Sequence, residues 1–168
     1  MTQHRHQQSL GHLTGLASRL FNRLLTQRFK QASIDMTAEQ WGVILVLKNH
    51  ALKNDALKND ALKNHESKNN EPMTQSQISE LLYLEKSSVS RSIDGLEKRG
   101  WIERQRSSSD SRSKFVSLTQ QSLAVVERCS EIAATVLADA QQGIEEAELE
   151  HTKQHLAQVV RQLRQLNH

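Results

Sequence analysis

Apolar residues recur at helical spacing along most of the chain and at strand spacing in one short stretch. Leu10, Leu13, Leu16, Leu20 and Leu24, flanked by Phe21 and Phe29, predict a long amphipathic helix over about 8–30. A second helix should begin after Met36. Thr37 suits its cap, Gln40 closes a capping box, and Met36 staples onto the large core anchor Trp41. The same arrangement returns at Met73-Thr74-Gln75-Ser76-Gln77, which marks a third helix with Ile78, Leu81 and Leu82 on its apolar side. Val89, Ile93 and Leu96 define a fourth, ending at Gly100, a residue suited to a left-handed C′ position. Trp101–Arg106 and Lys114–Leu118 alternate like strands, and the intervening Ser107–Ser113 is rich in turn formers. Thr119 can cap a helix running to about Gln142, and a last helix is predicted over about Glu145–Leu166. The pattern predicts a mainly α fold with a small antiparallel β hairpin of two or three strands. The amphipathic helices at both ends fit an intramolecular bundle as well as a dimer.

One segment breaks the pattern. From Leu47 the chain reads LKNH, ALKND, ALKND, ALKNH, ESKNN, with lysines at 48, 53, 58, 63 and 68. A period of five advances about 140° around a helix, so Leu52, Leu57 and Leu62 form no stripe. Removing residues 51–65 leaves a helix end and a short connection, so this segment reads as an expansion of the helix's own last pentad. A solvated extension, helical in part, is expected, adding ~22 Å if wholly helical. The functional alternative is a lysine-bearing arm against DNA or a partner.

The fourth helix carries the candidate chemistry. Opposite its apolar stripe a helical wheel places Ser87, Ser88, Arg91, Asp94, Gly95 and Lys98. Small residues permit close approach to a DNA groove, Arg makes bidentate contact to guanine, and hydroxyls bind phosphate. Arg106 and Arg112 flank the hairpin tip, and an arginine there can enter a narrow minor groove. Thr74, Gln75 and Ser76 lie at a helix start whose amides favour phosphate. The expected DNA-binding set is Thr74, Gln75, Ser76, Ser87, Ser88, Ser90, Arg91, Lys98, Arg106 and Arg112. For Arg112 a surface ion pair with Asp110 is the plainer reading, and the two are compatible.

In order and at this spacing, five pieces resemble the winged helix-turn-helix of the MarR (multiple-antibiotic-resistance regulator) family. They are Ser87-Ser88-Val89-Ser90-Arg91, Leu96-Glu97-Lys98-Arg99-Gly100, Ile102-Glu103-Arg104, Asp110-Ser111-Arg112 and Val116-Ser117-Leu118-Thr119. Two positions depart from the usual pattern: Tyr83 replaces a small residue in the turn, and Ser111 replaces the middle Arg of the wing. The resemblance covers about 10–166. It implies one MarR-like domain over 1–168, with dimerisation helices at 8–30 and 119–166, a winged helix-turn-helix at 36–118, and the insertion at 51–65. It also implies a homodimeric regulator, here a repressor on a near-palindromic operator in double-stranded DNA, released by a small-molecule effector.

Length and charge fit this reading without deciding it. The 168 residues carry a formal charge of +3, one proline and six glycines. Arg5, Arg19, Arg23, Arg28 and Lys30 face no acid in the first 30 residues, whereas 127–150 is strongly acidic. No serine is framed by a His and Asp pattern and no Gly-rich phosphate loop occurs, so neither an enzyme nor a cofactor is expected. His151 and His155 stand at i, i+4, but on an acidic helix they read as polar surface rather than as a metal site. Cys129 reads as a small buried hydrophobe. The family's peroxide sensors place a cysteine near the first helix, where this chain has none. A single cysteine and the lack of an apolar leader or span suggest the cytoplasm and no membrane. The rival reading is a winged helix used as a protein-interaction module without DNA binding.

Overall fold

The computed structural model describes residues 8–61, 72–106 and 114–167, with the side chains of 54–61 and Arg106 left aside. Two compact units are distinguished, residues 1–132 and 133–168.

In the first unit, helix α1 (Leu10–Gln31) begins at Ser9, whose hydroxyl accepts from the His12 amide. Leu10, Leu13, Leu16 and Leu20 are exposed along it, whereas Phe29, near its end, is fully buried. Helix α2 (Ala38–Ala61) starts with the expected box: the Gln40 amide donates to the Thr37 hydroxyl, and the Thr37 amide donates to Gln40 Oε1, both at 3.1 Å. Trp41 meets Phe29 edge-on at 5.9 Å, which joins α2 to the end of α1. Helix α2 continues into the repeated segment as far as Ala61, and Ala51, Leu52 and Lys53 are exposed there. Residues 62–65 of the repeat lie outside the described residues.

Strand β1 (Met73–Thr74) leads into helix α3 (Gln75–Leu82), capped by a complete Thr74–Gln77 box. The apolar side of α3 differs from the expected one. Ile78 is buried and Leu82 half-buried, but Leu81 is exposed and Ser79 takes a buried place, its hydroxyl bonded to the Gln75 carbonyl. The backbone bond lets a small polar residue lie inside without an unmet partner. Helix α4 (Lys86–Lys98) follows and buries Val89, Ile93 and Leu96.

Strands β2 (Ile102–Arg106) and β3 (Lys114–Leu118) pair antiparallel, Ile102 opposite Leu118 and Arg106 opposite Lys114. β1 adds to the other edge of β3, giving the order β1-β3-β2 and a three-stranded sheet. Thr119 caps a short 3-10 turn before helix α5 (Leu123–Ala140). Val126 and Cys129 are buried in the part of α5 that belongs to this unit.

Three helices of the first unit end in one bonding pattern. A left-handed residue donates to the carbonyl three back, and the next donates five back. Gly100 and Trp101 bond to Glu97 and Leu96; Ser33 and Ile34 to Lys30 and Phe29; Tyr83 and Leu84 to Glu80 and Ser79. Gly100 was expected in this role. Ser33 (φ 61°) and Tyr83 (φ 53°) fill it despite carrying a Cβ.

The second unit holds the end of α5 and helix α6 (Glu146–Leu166). Leu156, Val160, Leu163 and Leu166 are exposed on α6. Glu146 and Glu148 lie in its first turn and Arg164 in its last, the arrangement that complements a helix dipole.

Candidate nucleic-acid interface

Helix α4 turns about 100° per residue, so residues 87–98, with the C-cap Arg99, sort into four faces. Val89, Ile93 and Leu96 form the first and point into the core. Ser88, Ser92, Gly95 and Arg99 form the second, against α2 and the segment before it. There Ser92 donates to Glu39 Oε1 at 2.6 Å and Ser88 to Glu39 Oε2 at 3.3 Å. A Cβ on Gly95 would meet Gln40 Nε2 at 2.7 Å. Arg99, the C-cap, donates to Asp35 at 2.7 Å and to the Gly95 carbonyl at 2.6 Å, and its guanidinium lies 5.3 Å from the Trp101 ring centre.

The third face, Ser90, Asp94 and Glu97, turns towards strand β2. Arg104 of that strand donates to Asp94 and, at 2.6 Å, to Glu97. Burial works against the Arg104 charge, but the two carboxylates outweigh it and hold the guanidinium above its ordinary pKa. Arg104 thereby ties the wing to the helix.

The fourth face, diametrically opposite the core, comprises Ser87, Arg91 and Lys98, all exposed. Neither cation forms an ion pair among the described residues. The outward surface is therefore narrower than the sequence suggests. Ser88 and Gly95 face α2, and Asp94 is engaged by Arg104, so three of the six expected outer residues have protein partners. A helical wheel shows the face opposite the core; it does not show which flanks neighbouring elements occupy.

At the start of α3, the Thr74 hydroxyl accepts from the Gln77 amide at 3.3 Å and donates to Gln77 Oε1 at 3.1 Å. Gln75 Nε2 donates to the Lys86 carbonyl at 3.4 Å, linking the starts of α3 and α4, while Ser76 is exposed. Ser90 is half-buried. Arg106 ends β2, its side chain not among those described, and Arg112 lies outside the described residues.

Asp35, Glu39, Arg99 and Arg104 touch no outer surface of the helix yet fix its setting; Arg99 and Arg104 belong to the motif pieces, but the hydrophobic pattern assigns none of the four a bracing role. Their signal lay in the rows beside the outward one, which repeat at the same i, i+4, i+7 spacing. Elsewhere in this unit, a cavity of about 440 Å³ opens at the end of α1, lined among others by Thr26, Lys30, Asp35 and Thr37. Cys129 is fully buried, and burial pushes its thiol up to about 11, which leaves it protonated at neutral pH. No group of three or more metal-ligating side chains occurs among the described residues. No helix among them is long and apolar enough to cross a membrane.

Known proteins align with this arrangement. Residues 68–114 match the model of the MarR family. Over 95 residues the chain is 31% identical to an organic hydroperoxide resistance transcriptional regulator of Bacillus subtilis (strain 168); this stretch is 56% of the chain and spans 63% of that relative's length. The fold is similar to a mutant MarR from E. coli complexed with operator DNA (TM-score 0.72, 20% identity, 95% of this chain and 99% of that one). It is also similar to S. aureus MepR in a DNA complex (TM-score 0.68, 21% identity, 92% and 96%). The three-stranded wing beside α3 and α4, the motifs along them and the family match agree: residues 68–114 carry the winged helix-turn-helix that the MarR family model describes, on a fold similar to that of the solved MarR structures.

Proposed function

We propose that the chain is a sequence-specific DNA-binding transcription regulator that acts as a homodimer in the cytoplasm. The observation that carries this is the row Ser87, Arg91 and Lys98, which is exposed directly opposite the buried face of α4. Two long cations and a hydroxyl on a helix braced by a wing suit a major groove: Arg for a guanine edge, Lys and Ser for phosphates. Ser76 and the first amides of α3 add phosphate contacts, and Thr74 and Gln75 hold that helix start in place. Ser88 and Ser90 lie at the flanks of the outward row. Arg106 and Arg112 supply the wing's approach to the neighbouring minor groove.

The leucines exposed on α1 and the apolar residues exposed on α6 support a second copy as their cover. A two-fold dimer sets two α4 helices about one DNA turn apart and so reads a near-palindromic site. Occupying a promoter in this way represses it. The cavity beside Lys30 and Asp35 is within the size range of small-ligand sites, and an effector seated there acts by favouring one arrangement of the dimer.

A salt titration of binding to random duplexes, and to a duplex enriched from a random pool, tests the reading. Both should weaken steeply with salt, and the enriched duplex should stay tighter throughout. Arg91→Ala should relax discrimination at one base position, whereas Lys98→Ala should lower the salt slope by about one. A flat salt response would show that the exposed row serves some other partner.

A further inference from the structure

We propose that Glu39 is a positioning residue that sets the roll of α4, and through it the register in which Arg91 meets DNA. This rests on the DNA-binding reading given above. Glu39 lies in the first turn of α2, outside the outward row, and touches α4 through two hydroxyls. Ser92 donates to one carboxylate oxygen at 2.6 Å and Ser88 to the other at 3.3 Å. These serines are four residues apart, one turn of the helix, so a single carboxylate grips two successive turns.

The neighbouring contacts in this row are of different kinds. Gln40 lies against Gly95 without a hydrogen bond to it, as a stop. The Asp35 side chain is 89% exposed, so its pair with Arg99 is screened and weakly directing. Glu39 is thus the charged, directional contact of the row. The apolar row on Val89, Ile93 and Leu96 cannot replace it, because apolar packing is non-directional and tolerates a small roll. A roll of α4 moves Arg91 sideways across the groove, and bidentate recognition of a base is sensitive to that displacement.

The test separates reach from charge. Glu39→Asp keeps the charge at the start of α2 but withdraws the oxygens by one methylene. Glu39→Gln loses the charge but keeps an oxygen at the same reach for Ser92. Affinities are measured at one salt concentration for the duplex enriched from a random pool by the wild-type chain, and for random duplex. Amide hydrogen exchange is followed over 86–98 in the free protein.

Glu39→Asp should cut the enriched-to-random ratio by about tenfold, with random-duplex affinity unchanged. It should also speed exchange in α4. Glu39→Gln should stay within about threefold of wild type by the same measure. The opposite order, with Asp tolerated and Gln not, would show a charge effect at the helix start and overturn the proposal. Equal losses on both duplexes, or unchanged exchange in Glu39→Asp, would overturn it as well. If the wild-type chain enriches no sequence, the DNA reading fails, and hydrogen exchange still decides whether Glu39 holds the helix.

Discussion

Gly95→Ala should destabilise the protein although alanine is the better helix former. In an open helix the replacement gains about 1 kcal/mol. Here the new Cβ would stand 2.7 Å from Gln40 Nε2 and 3.3 Å from Arg99 Nη1. Gln40 is only 8% exposed, and its other amide atom accepts the Thr37 amide that starts α2. Swinging the amide aside gives up that bond, at about 1 kcal/mol, and crowding a packed contact costs about 1–3 kcal/mol more. The net loss is then about 1–3 kcal/mol, or several degrees in Tm for a chain of this size. Gly42→Ala is the control. It too lies within a helix, but the nearest atom is Leu82 Cδ2 at 3.7 Å, an ordinary contact, so about 1 kcal/mol should be gained. Thermal unfolding by far-ultraviolet circular dichroism, at one protein concentration because dimerisation shifts Tm, should move the two variants in opposite directions. If Gly95→Ala raises Tm as Gly42→Ala does, α4 does not press on α2 as described.

Tyr83→Gly should raise stability by about 1 kcal/mol, because glycine accepts the left-handed turn without the strain of a Cβ; a lower Tm would mean that the tyrosine's own interactions outweigh that strain. Cys129 should resist thiol reagents in the native protein at neutral pH. Its folded pKa of about 11 stands above the ordinary 9.0, so its contribution to stability is complete below pH 9 and is lost as pH rises from 9 towards 11. Cys129→Ala should flatten the denaturation-midpoint curve in that window, and an unchanged curve would place the titration elsewhere. Deleting 51–65 should leave dimerisation and DNA affinity within about twofold of wild type, as expected for a solvated insertion. Loss of either on deletion, measured by sedimentation and by DNA titration, would give the repeat a role.

Features written in adjacent residues were legible from the chain. The boxes at Thr37–Gln40 and Thr74–Gln77 and the glycine stop after α4 depend on partners three to five residues away, and each is found where the pattern put it. The same bonding at Ser33 and Tyr83 was not legible, because serine and tyrosine carry no preference for positive φ. The outward face was legible only in outline. Its direction follows from the core row, but its width is set by Glu39, Gln40 and Arg104. The first two lie 49–55 positions before their partners on α4, and Arg104 returns from the strand that follows. A hydrophobic pattern places a core; it does not say which polar residues answer one another across a fold. Ser79 and Leu81 show the same limit: the apolar residue is outside and the polar one inside because a backbone carbonyl is on hand for the hydroxyl.

The repeated segment makes that limit concrete at its first lysine. Lys48 donates to the Ser130 hydroxyl at 3.0 Å and lies 3.8 Å from Glu127, so it joins α2 to the first half of α5. The next lysine of the series, Lys53, is exposed. On one continuous helix the two differ by about 140° in direction and ~7.5 Å in height, so a copied pentad cannot reproduce the contact of the original. Expansion here multiplies the sequence without multiplying the bond. It lengthens α2 beyond Leu47, the last buried residue among those described in this helix, and leaves the Lys48 anchor where it was. A period of 3.5 or 3.6 would have stacked every copy on the same neighbour and forced the fold to answer each addition. Because a period of five spreads its copies around the axis, the chain can carry them while α3, α4 and the wing keep their places.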